Sequence, residues 1–177
     1  MFKLERFVED CCTAVRTDKT HKCVAEIFDR AFHDPSAITA ALGEPEKAGL
    51  TPIYCSPDVT ILNLVWKPSM IIPPHNHNMW AMIGVYGGRE DNIFWRRIKD
   101  APDGRIEAAG AASLSTGDYT PLGNDIIHSV ANPITKLSGA IHVYGGDFFE
   151  AERSEWDPEN LSEQDIDLEK LKAMFKD

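Results

Sequence analysis

The feature that most limits the fold is a series of short segments, rich in β-branched and aromatic residues, that begins near Pro52. Such segments are typical of β-strands, and we predict strands near Val59–Lys67, Met79–Tyr86, Asp91–Lys99, Ile106–Leu114, Ser129–Asn132 and Leu137–Tyr144. Turn sequences divide them, and Asp103-Gly104 favours a hairpin between its two flanking strands. Because no long helix interrupts this part, we expect an antiparallel β-sandwich or barrel over roughly residues 52–148.

Helical periodicity precedes the β-rich part of the chain. Residues 2–17 have apolar side chains at helical spacing, and a second stretch of this kind runs from Lys22 to Phe32. Asp34-Pro35-Ser36 ends that stretch, and Ser36 is placed to cap a short helix through Leu42. We therefore predict a helical region at about 1–48.

A further helix is predicted near the C-terminus. Apolar side chains recur among charged ones from Leu161 to Phe175, and Ser162 with Asp165 resembles a capping box. We expect this helix, at about 161–176, to pack on the outside of the β body. The 177 residues then form one domain, 1–177.

Composition excludes some classes of partner. The net charge of −10 is repelled by phosphate backbones, so neither nucleic acid nor an anionic membrane is an expected partner. Charged residues interrupt the first fifteen positions, and no apolar run reaches the length of a membrane span, so we expect a cytoplasmic protein. The cysteines at positions 11, 12, 23 and 55 have no CxxC spacing, so they are interpreted as free thiols.

The histidines suggest a metal site. His75 and His77 lie two apart next to an apolar strand, so both imidazoles can point to one face, and Pro73-Pro74 restricts the backbone before them. His128, just before another short strand, is the candidate third ligand. His-x-His pairs also occur as incidental surface residues. We interpret His21 and His33, which lie in the helical region, as ordinary surface or packing residues.

The first histidine stretch resembles the first motif of the cupin superfamily. His75 and His77 match its His-x-His pair, and Gly88 matches its closing glycine. The usual glutamate of that motif falls here at Ala81 or Met82, neither of which can bind a metal. The resemblance implies a metal site without a carboxylate.

The second histidine stretch resembles the second cupin motif. Pro121 and Gly123 match its Pro-x-Gly, and His128 and Asn132 match its histidine and asparagine, with two extra residues before the histidine. Together the motifs imply a mainly β protein with a cupin double-stranded β-helix (jelly-roll) barrel between N- and C-terminal helices. They also imply that His75, His77 and His128 bind one metal ion.

A cupin with three histidines and no carboxylate is similar to the cysteine dioxygenase type I family of thiol dioxygenases. Residues 140–144 resemble the Ser-x-His-x-Tyr segment of that family, where His142 and Tyr144 match and Ala140 replaces the serine. The resemblance covers about residues 50–157 and implies catalytic roles for His142 and Tyr144. Near the position of the crosslinking cysteine of the animal enzymes the chain has Ala81, as expected for bacterial members without a Cys–Tyr crosslink.

The same resemblance implies an Fe(II) cofactor and a small thiol that reacts with O₂ to give a sulfinic acid. Three-histidine sites also accept nickel, manganese, copper or zinc. The cysteine enzymes place an arginine after an upstream tyrosine, but no arginine lies near Tyr54. The mercaptopropionate enzymes use one after the His-x-Tyr segment, where this chain has Arg153, either a carboxylate-binding residue or a surface arginine among glutamates.

Two other functions remain compatible with the residues. One is a different three-histidine cupin dioxygenase that cleaves a carbon–carbon bond in a dicarbonyl substrate. The other is a non-enzymatic, metal-binding cupin that senses a small ligand. The presence of both His142 and Tyr144 favours the thiol enzyme, with 3-mercaptopropionate or cysteine as the type of substrate.

Overall fold

The computed structural model of the chain describes residues 2–176. Its helices are α1 (Leu4–Thr17), α2 (Ala25–Phe32), α3 (Pro35–Leu42) and α4 (Leu168–Met174). A 3₁₀ turn, His21–Val24, precedes α2. In the described part of the chain, no helix combines the length and apolar character that crossing a membrane requires.

Eleven strands lie between α3 and α4. Their bounds are β1 (Gly49–Cys55), β2 (Thr60–Trp66), β3 (Ile71–Asn76), β4 (Ala81–Gly87), β5 (Arg89–Arg97), β6 (Ile106–Ser115), β7 (Tyr119–Leu122), β8 (Ile127–Ala131), β9 (Ser138–Tyr144), β10 (Ser154–Trp156) and β11 (Glu163–Asp165). The predicted strands are all present, and β5 and β6 form the hairpin expected around Asp103-Gly104.

The strands form two antiparallel sheets, with the orders β1-β2-β9-β4-β7 and β11-β10-β3-β8-β5-β6. Within them, the orders β2-β9-β4-β7 and β3-β8-β5-β6 are those of a jelly roll, a double-sheet barrel built from two Greek keys. From β2 to β9 the chain changes sheet at every connection except the β5–β6 hairpin. This confirms the predicted fold class, a mainly β, cupin-type double-stranded β-helix with helices before and after it.

Strand β9 separates two parts of the hydrophobic core. Ile141 and Val143 point outward and pack with Phe28 and other residues of the N-terminal helices. Ala140 and Tyr144 point inward and pack with apolar side chains from both sheets. Because helices cover the outer face of this strand, all seven of its residues are buried. The inward face therefore carries His142 and Tyr144 into the barrel.

Two of the predicted helix caps are wrong. Helix α3 begins at Pro35 with Asp34 as its N-cap residue, and the Ser36 hydroxyl donates a hydrogen bond to the Asp34 carboxylate instead of capping the helix. Proline suits the first helical position because it has no N–H to leave unsatisfied. Helix α4 is capped by Asp167, whose side chain accepts from the backbone N–H groups of residues 169 and 170.

The C-terminal helix is shorter than predicted. It begins at Leu168 instead of near Leu161, because residues 163–165 form β11 and pair with β10. The backbone of Leu161 has a φ of 59°, which is incompatible with a right-handed helix. The proposed capping box at residues 162–165 therefore lies in a strand.

Candidate metal centre

A bulge in β3 positions the first two histidines. The pairing of β3 with β8 changes register between Ile72 and His75, where the two prolines have no N–H to donate to the ladder. His75 lies near the end of β3, and His77 lies between β3 and the apolar strand β4 that was predicted to follow the pair. The bulge shifts the strand so that both imidazoles enter the barrel, where their side chains are buried.

The third histidine comes from the neighbouring strand. His128 in β8 is the direct cross-strand partner of His75. Side-chain nitrogens of the three predicted ligands lie within 4.8 Å of one another. Nε2 of His128 and Nε2 of His77 are 3.4 Å apart. Two nitrogens bound to one ion at about 2.1 Å are separated by roughly 3.0–3.5 Å, so this spacing fits a shared metal ion.

Hydrogen bonds turn two of these imidazoles toward the common centre. His75 Nδ1 donates to the carbonyl oxygen of Pro73 at 2.9 Å. His128 Nδ1 donates to Oδ1 of Asn92 at 2.7 Å. In each ring the proton is held on Nδ1, so Nε2 carries the lone pair that a metal requires.

Burial keeps the three imidazoles neutral. It lowers the pKa of His75 to about 4 and holds the pKa values of His77 and His128 well below the usual range, with smaller effects from neighbouring histidines. A neutral imidazole is the form that binds a metal. No carboxylate belongs to the cluster in the described part of the chain. The residues therefore fit a divalent transition metal with nitrogen ligands.

The tyrosine predicted to act beside the metal lies against a ligand. The ring centroids of Tyr144 and His77 are 5.0 Å apart. The Tyr144 hydroxyl lies 2.9 Å from Nδ1 of His142, and both side chains are buried. Burial raises the pKa of Tyr144, and the positive charge of Arg153 acts in the opposite direction.

A buried carboxylate that was not among the predicted site residues lies behind this pair. Oε2 of Glu90 is 3.2 Å from Nε2 of His142, and Glu90 is fully buried. Oε1 of Glu90 accepts a hydrogen bond from Asn92, the residue that holds His128. The sequence feature that could have indicated Glu90 is its spacing from Asn92, since residues two apart share one face of a strand, here the inward face of β5. Without the sheet order, that pattern does not reveal the contact with β8 and β9.

Arg153 is buried, which excludes the alternative of a surface arginine paired with nearby glutamates. Its Nη2 donates a hydrogen bond to the carbonyl oxygen of Phe148 at 2.8 Å, and its Cζ lies 4.0 Å from the centre of the Phe148 ring. Within the described residues, Nε and the other terminal nitrogen have no hydrogen-bond partner. Burial lowers the pKa of the guanidinium, since the charged form is poorly solvated there.

Two asparagines hold the Arg153 segment against the histidines. Asn76, between His75 and His77, accepts a hydrogen bond from the backbone N–H of Ser154 at 2.8 Å. Asn78 donates to the carbonyl oxygen of Glu152 at 2.8 Å. The residues on both sides of Arg153 are thus fixed to the segment that carries two metal ligands.

Helix α4 closes the barrel above the histidines. A cavity of about 20 Å³ remains between them, lined by the three ligands, His142, Tyr144, Phe148 and apolar side chains that include Leu171 and Phe175. Phe175 packs on Trp66 with ring centroids 5.4 Å apart. A space of this size holds about one water molecule.

No protein family model matches the chain. Similar solved structures include an RmlC-like cupin family protein with a double-stranded β-helix fold from Methanocaldococcus jannaschii, at 10% identity and a TM-score of 0.49, covering 61% of this chain and 88% of that one. An uncharacterized conserved protein with a double-stranded β-helix domain from Klebsiella pneumoniae has 13% identity and a TM-score of 0.46, covering 63% and 83%.

Oxalate decarboxylase from Bacillus subtilis is also similar, at 17% identity and a TM-score of 0.43. That match covers 56% of this chain and 24% of the decarboxylase, so the chain spans about a quarter of that enzyme. At these identities the similarity implies no shared substrate.

Proposed function

We propose that the chain is an iron(II)-dependent thiol dioxygenase, which oxidises a small thiol to a sulfinic acid with O₂. One observation carries the proposal. A buried, carboxylate-free cluster of three neutral histidines lies beside the hydroxyl of Tyr144, which His142 holds at 2.9 Å. The loss of the usual cupin glutamate and the retention of this hydroxyl both favour thiol chemistry over oxidation of a substrate that does not bind through sulfur.

His75, His77 and His128 would hold the iron. Three neutral ligands leave the full charge of the ion available, which favours binding of an anionic thiolate, and the ion supplies the electronic coupling that lets a thiolate react with O₂. The enclosing side chains, many of them apolar, limit this space to about one water molecule. Such a poorly hydrated environment strengthens each electrostatic contact to a bound anion.

Tyr144 and His142 would position the reacting sulfur and oxygen atoms. Tyr144 lines the cavity, and its hydroxyl would form a hydrogen bond with a bound thiol or its partly oxidised product. His142 fixes the direction of that hydroxyl, since its Nδ1 is the partner of the Tyr144 oxygen. The product sulfinate carries a charge that such a group can stabilise.

Arg153 would bind a carboxylate of the substrate. A buried guanidinium with two unpartnered nitrogens is costly unless an anion pairs with it. Arginine forms two parallel hydrogen bonds to a carboxylate, so one acidic group satisfies both nitrogens. We therefore propose 3-mercaptopropionate as the preferred type of substrate, ahead of cysteine.

The reaction balances without a further reductant. One thiol and one O₂ give one sulfinic acid, in which both oxygen atoms are bonded to sulfur and the proton of the thiol is carried by the acid. Sulfur loses four electrons and O₂ gains four. The proposal thus requires the thiol, O₂ and iron alone.

O₂ consumption by the iron-loaded protein with a small panel of compounds tests the proposal. We expect uptake with 3-mercaptopropionate, less with cysteine, and none with acetylacetone. Uptake with the diketone alone would replace the thiol assignment by carbon–carbon cleavage. Tight binding of a small molecule without any uptake would support a sensor instead.

A further inference from the structure

Glu90 is an unusual group for the interior of a barrel. Its side chain is fully buried, and no lysine or arginine in residues 2–176 pairs with it. A buried carboxylate is costly unless hydrogen bonds replace its water shell. Here three donors converge on it, and each comes from a different strand.

The three donors occupy both carboxylate oxygens. Trp66 Nε1 donates to Oε2 at 2.9 Å, and Nε2 of His142 lies 3.2 Å from the same oxygen. Asn92 Nδ2 donates to Oε1 at 3.1 Å. An ionised carboxylate accepts four hydrogen bonds and donates none, so it satisfies this arrangement. A neutral amide in its place has one acceptor oxygen and presents N–H groups to the other donors.

One of these contacts leads to a metal ligand. Asn92 uses its nitrogen on Glu90 and its oxygen on Nδ1 of His128, at 3.1 Å and 2.7 Å. The carboxylate thereby decides which way the Asn92 amide points. With that orientation fixed, the His128 proton stays on Nδ1 and its Nε2 faces the other two ligands.

Another contact leads to the tyrosine. Because Glu90 can only accept, the nitrogen of His142 that faces it must carry a proton. The opposite nitrogen, Nδ1, is then the partner of the Tyr144 hydroxyl at 2.9 Å. In neutral His142 that nitrogen accepts the hydroxyl proton, which leaves the lone pairs of the Tyr144 oxygen available to accept a further hydrogen bond.

We propose that Glu90 is a positioning residue that orients two groups at once, the ligand His128 through Asn92 and the hydroxyl of Tyr144 through His142. The catalytic role of the Tyr144 hydroxyl rests on the thiol dioxygenation proposed above. The orientation of His128 and of the Tyr144 hydroxyl is independent of that proposal, because it follows from the hydrogen bonds of the protein itself.

The test uses zinc-loaded protein, since Zn²⁺ is diamagnetic and three-histidine sites accept it. Nitrogen-15 spectra of the histidine rings report which nitrogen is protonated, and a His142→Gln spectrum assigns the signals. We expect the nitrogen-bound proton of neutral His142 to lie on Nε2, the atom that faces Glu90, in the parent protein. An unprotonated Nε2 there would overturn the proposal, whether or not any Glu90 variant folds.

Glu90→Gln, nearly the same in shape, is the matched substitution. It should move the His142 proton from Nε2 to Nδ1, because the amide N–H₂ then needs an acceptor. It should also weaken zinc binding by about tenfold to a hundredfold, as for loss of an outer partner of a metal ligand. Unchanged protonation of His142 together with unchanged zinc affinity would contradict the proposal.

Trp66→Phe is the control, since it removes a donor to the same carboxylate but neither of the two oriented groups. We expect zinc affinity and the His142 signal to stay as in the parent protein. In iron-loaded protein, Glu90→Gln should lower kcat by a larger factor than it changes KM. The decrease in kcat should be smaller when Glu90→Gln is made in a Tyr144→Phe background. If the parent protein consumes no O₂ with thiols, the proposed function fails, while the protonation and zinc measurements still decide the role of Glu90.

Discussion

His75 and His128 are direct partners across the β3–β8 ladder, although they are 53 positions apart in the chain. Cross-strand partners in an antiparallel pair lie on the same face of the sheet, so the ladder sets the spacing of two metal ligands without any loop. His77 completes the site two residues beyond His75, on the same face. Two rigid strands therefore define the metal site.

Removal of one cross-strand ligand should empty the site. His128→Ala leaves two imidazoles, and we expect the affinity for Fe(II) or Zn²⁺ to fall by more than about 100-fold, since loss of an outer partner alone costs 10–100-fold. Metal content after gel filtration and competition with a chelator measure this. His33→Ala, an exposed histidine on the helical side, should retain the metal. Full metal content in His128→Ala would contradict the site.

Tyr144→Phe removes a hydroxyl and no metal ligand. We expect metal content to stay the same and turnover with a thiol to fall on the order of 100-fold, as for loss of a positioned proton donor or acceptor. The matched control is Tyr86→Phe, because Tyr86 is also buried but directs its hydroxyl to Asn63 at 2.9 Å. Loss of metal from Tyr144→Phe would instead make Tyr144 a ligand or a structural residue.

Arg153→Ala should affect acidic thiols selectively. Loss of a charged partner costs about 2–5 kcal/mol in binding, so KM for 3-mercaptopropionate should rise strongly while kinetics with cysteamine change little. Arg153→Lys keeps the positive charge but cannot form two parallel hydrogen bonds to a carboxylate, so its KM for 3-mercaptopropionate should lie between those of the parent protein and Arg153→Ala. Arg96→Ala, on the exposed face of β5, serves as the control. Equal kinetics for both thiols in the parent protein would rule out a carboxylate-binding role.

Stability of the metal-free protein should decrease in mild acid. The pKa of His75 is about 4 when folded and 6.5 as the reference, so between these values the unfolded chain binds a proton that the folded chain does not. The contribution of neutral His75 to the free energy of unfolding is therefore fully present above pH 6.5 and is lost as the pH falls toward 4. The contribution of His75 alone is about 3 kcal/mol.

Urea unfolding of the metal-free protein at several pH values measures this loss. His75→Gln should show a shallower dependence on pH than the parent protein, while His33→Gln should show the same dependence as the parent. A free energy of unfolding that stays constant from neutral pH down to about pH 4 would contradict the burial of neutral histidines.

The fold and the candidate ligands His75 and His77 were predictable because they depend on local patterns. Alternating apolar residues and turns identify the strands, and His-x-His spacing places two ligands on one face. Strand β3 was not predicted, because consecutive prolines such as Pro73-Pro74 are typical of turns, whereas the structure places them at a bulge inside the strand, next to His75. Local pattern does not distinguish a turn from a bulge.

Contacts between distant strands could not be predicted. Glu90 lies on β5 and meets His142 on β9, which belongs to the other sheet, so only the closed barrel brings them together. The position of Arg153 likewise depends on Asn76 and Asn78, which bind the backbone on both sides of it. Polar residues in a charged sequence look like surface residues until the sheet order is known.

The most direct test of the account is oxidation of 3-mercaptopropionate by iron-loaded protein under ¹⁸O₂, followed by mass spectrometry of the product. We predict that one O₂ is consumed per thiol and that the sulfinic acid contains both labelled oxygen atoms. His128→Ala, treated in the same way, should give only the background reaction. Product without label, a disulfide as the sole product, or no O₂ uptake by protein with full iron content would contradict thiol dioxygenation at this site.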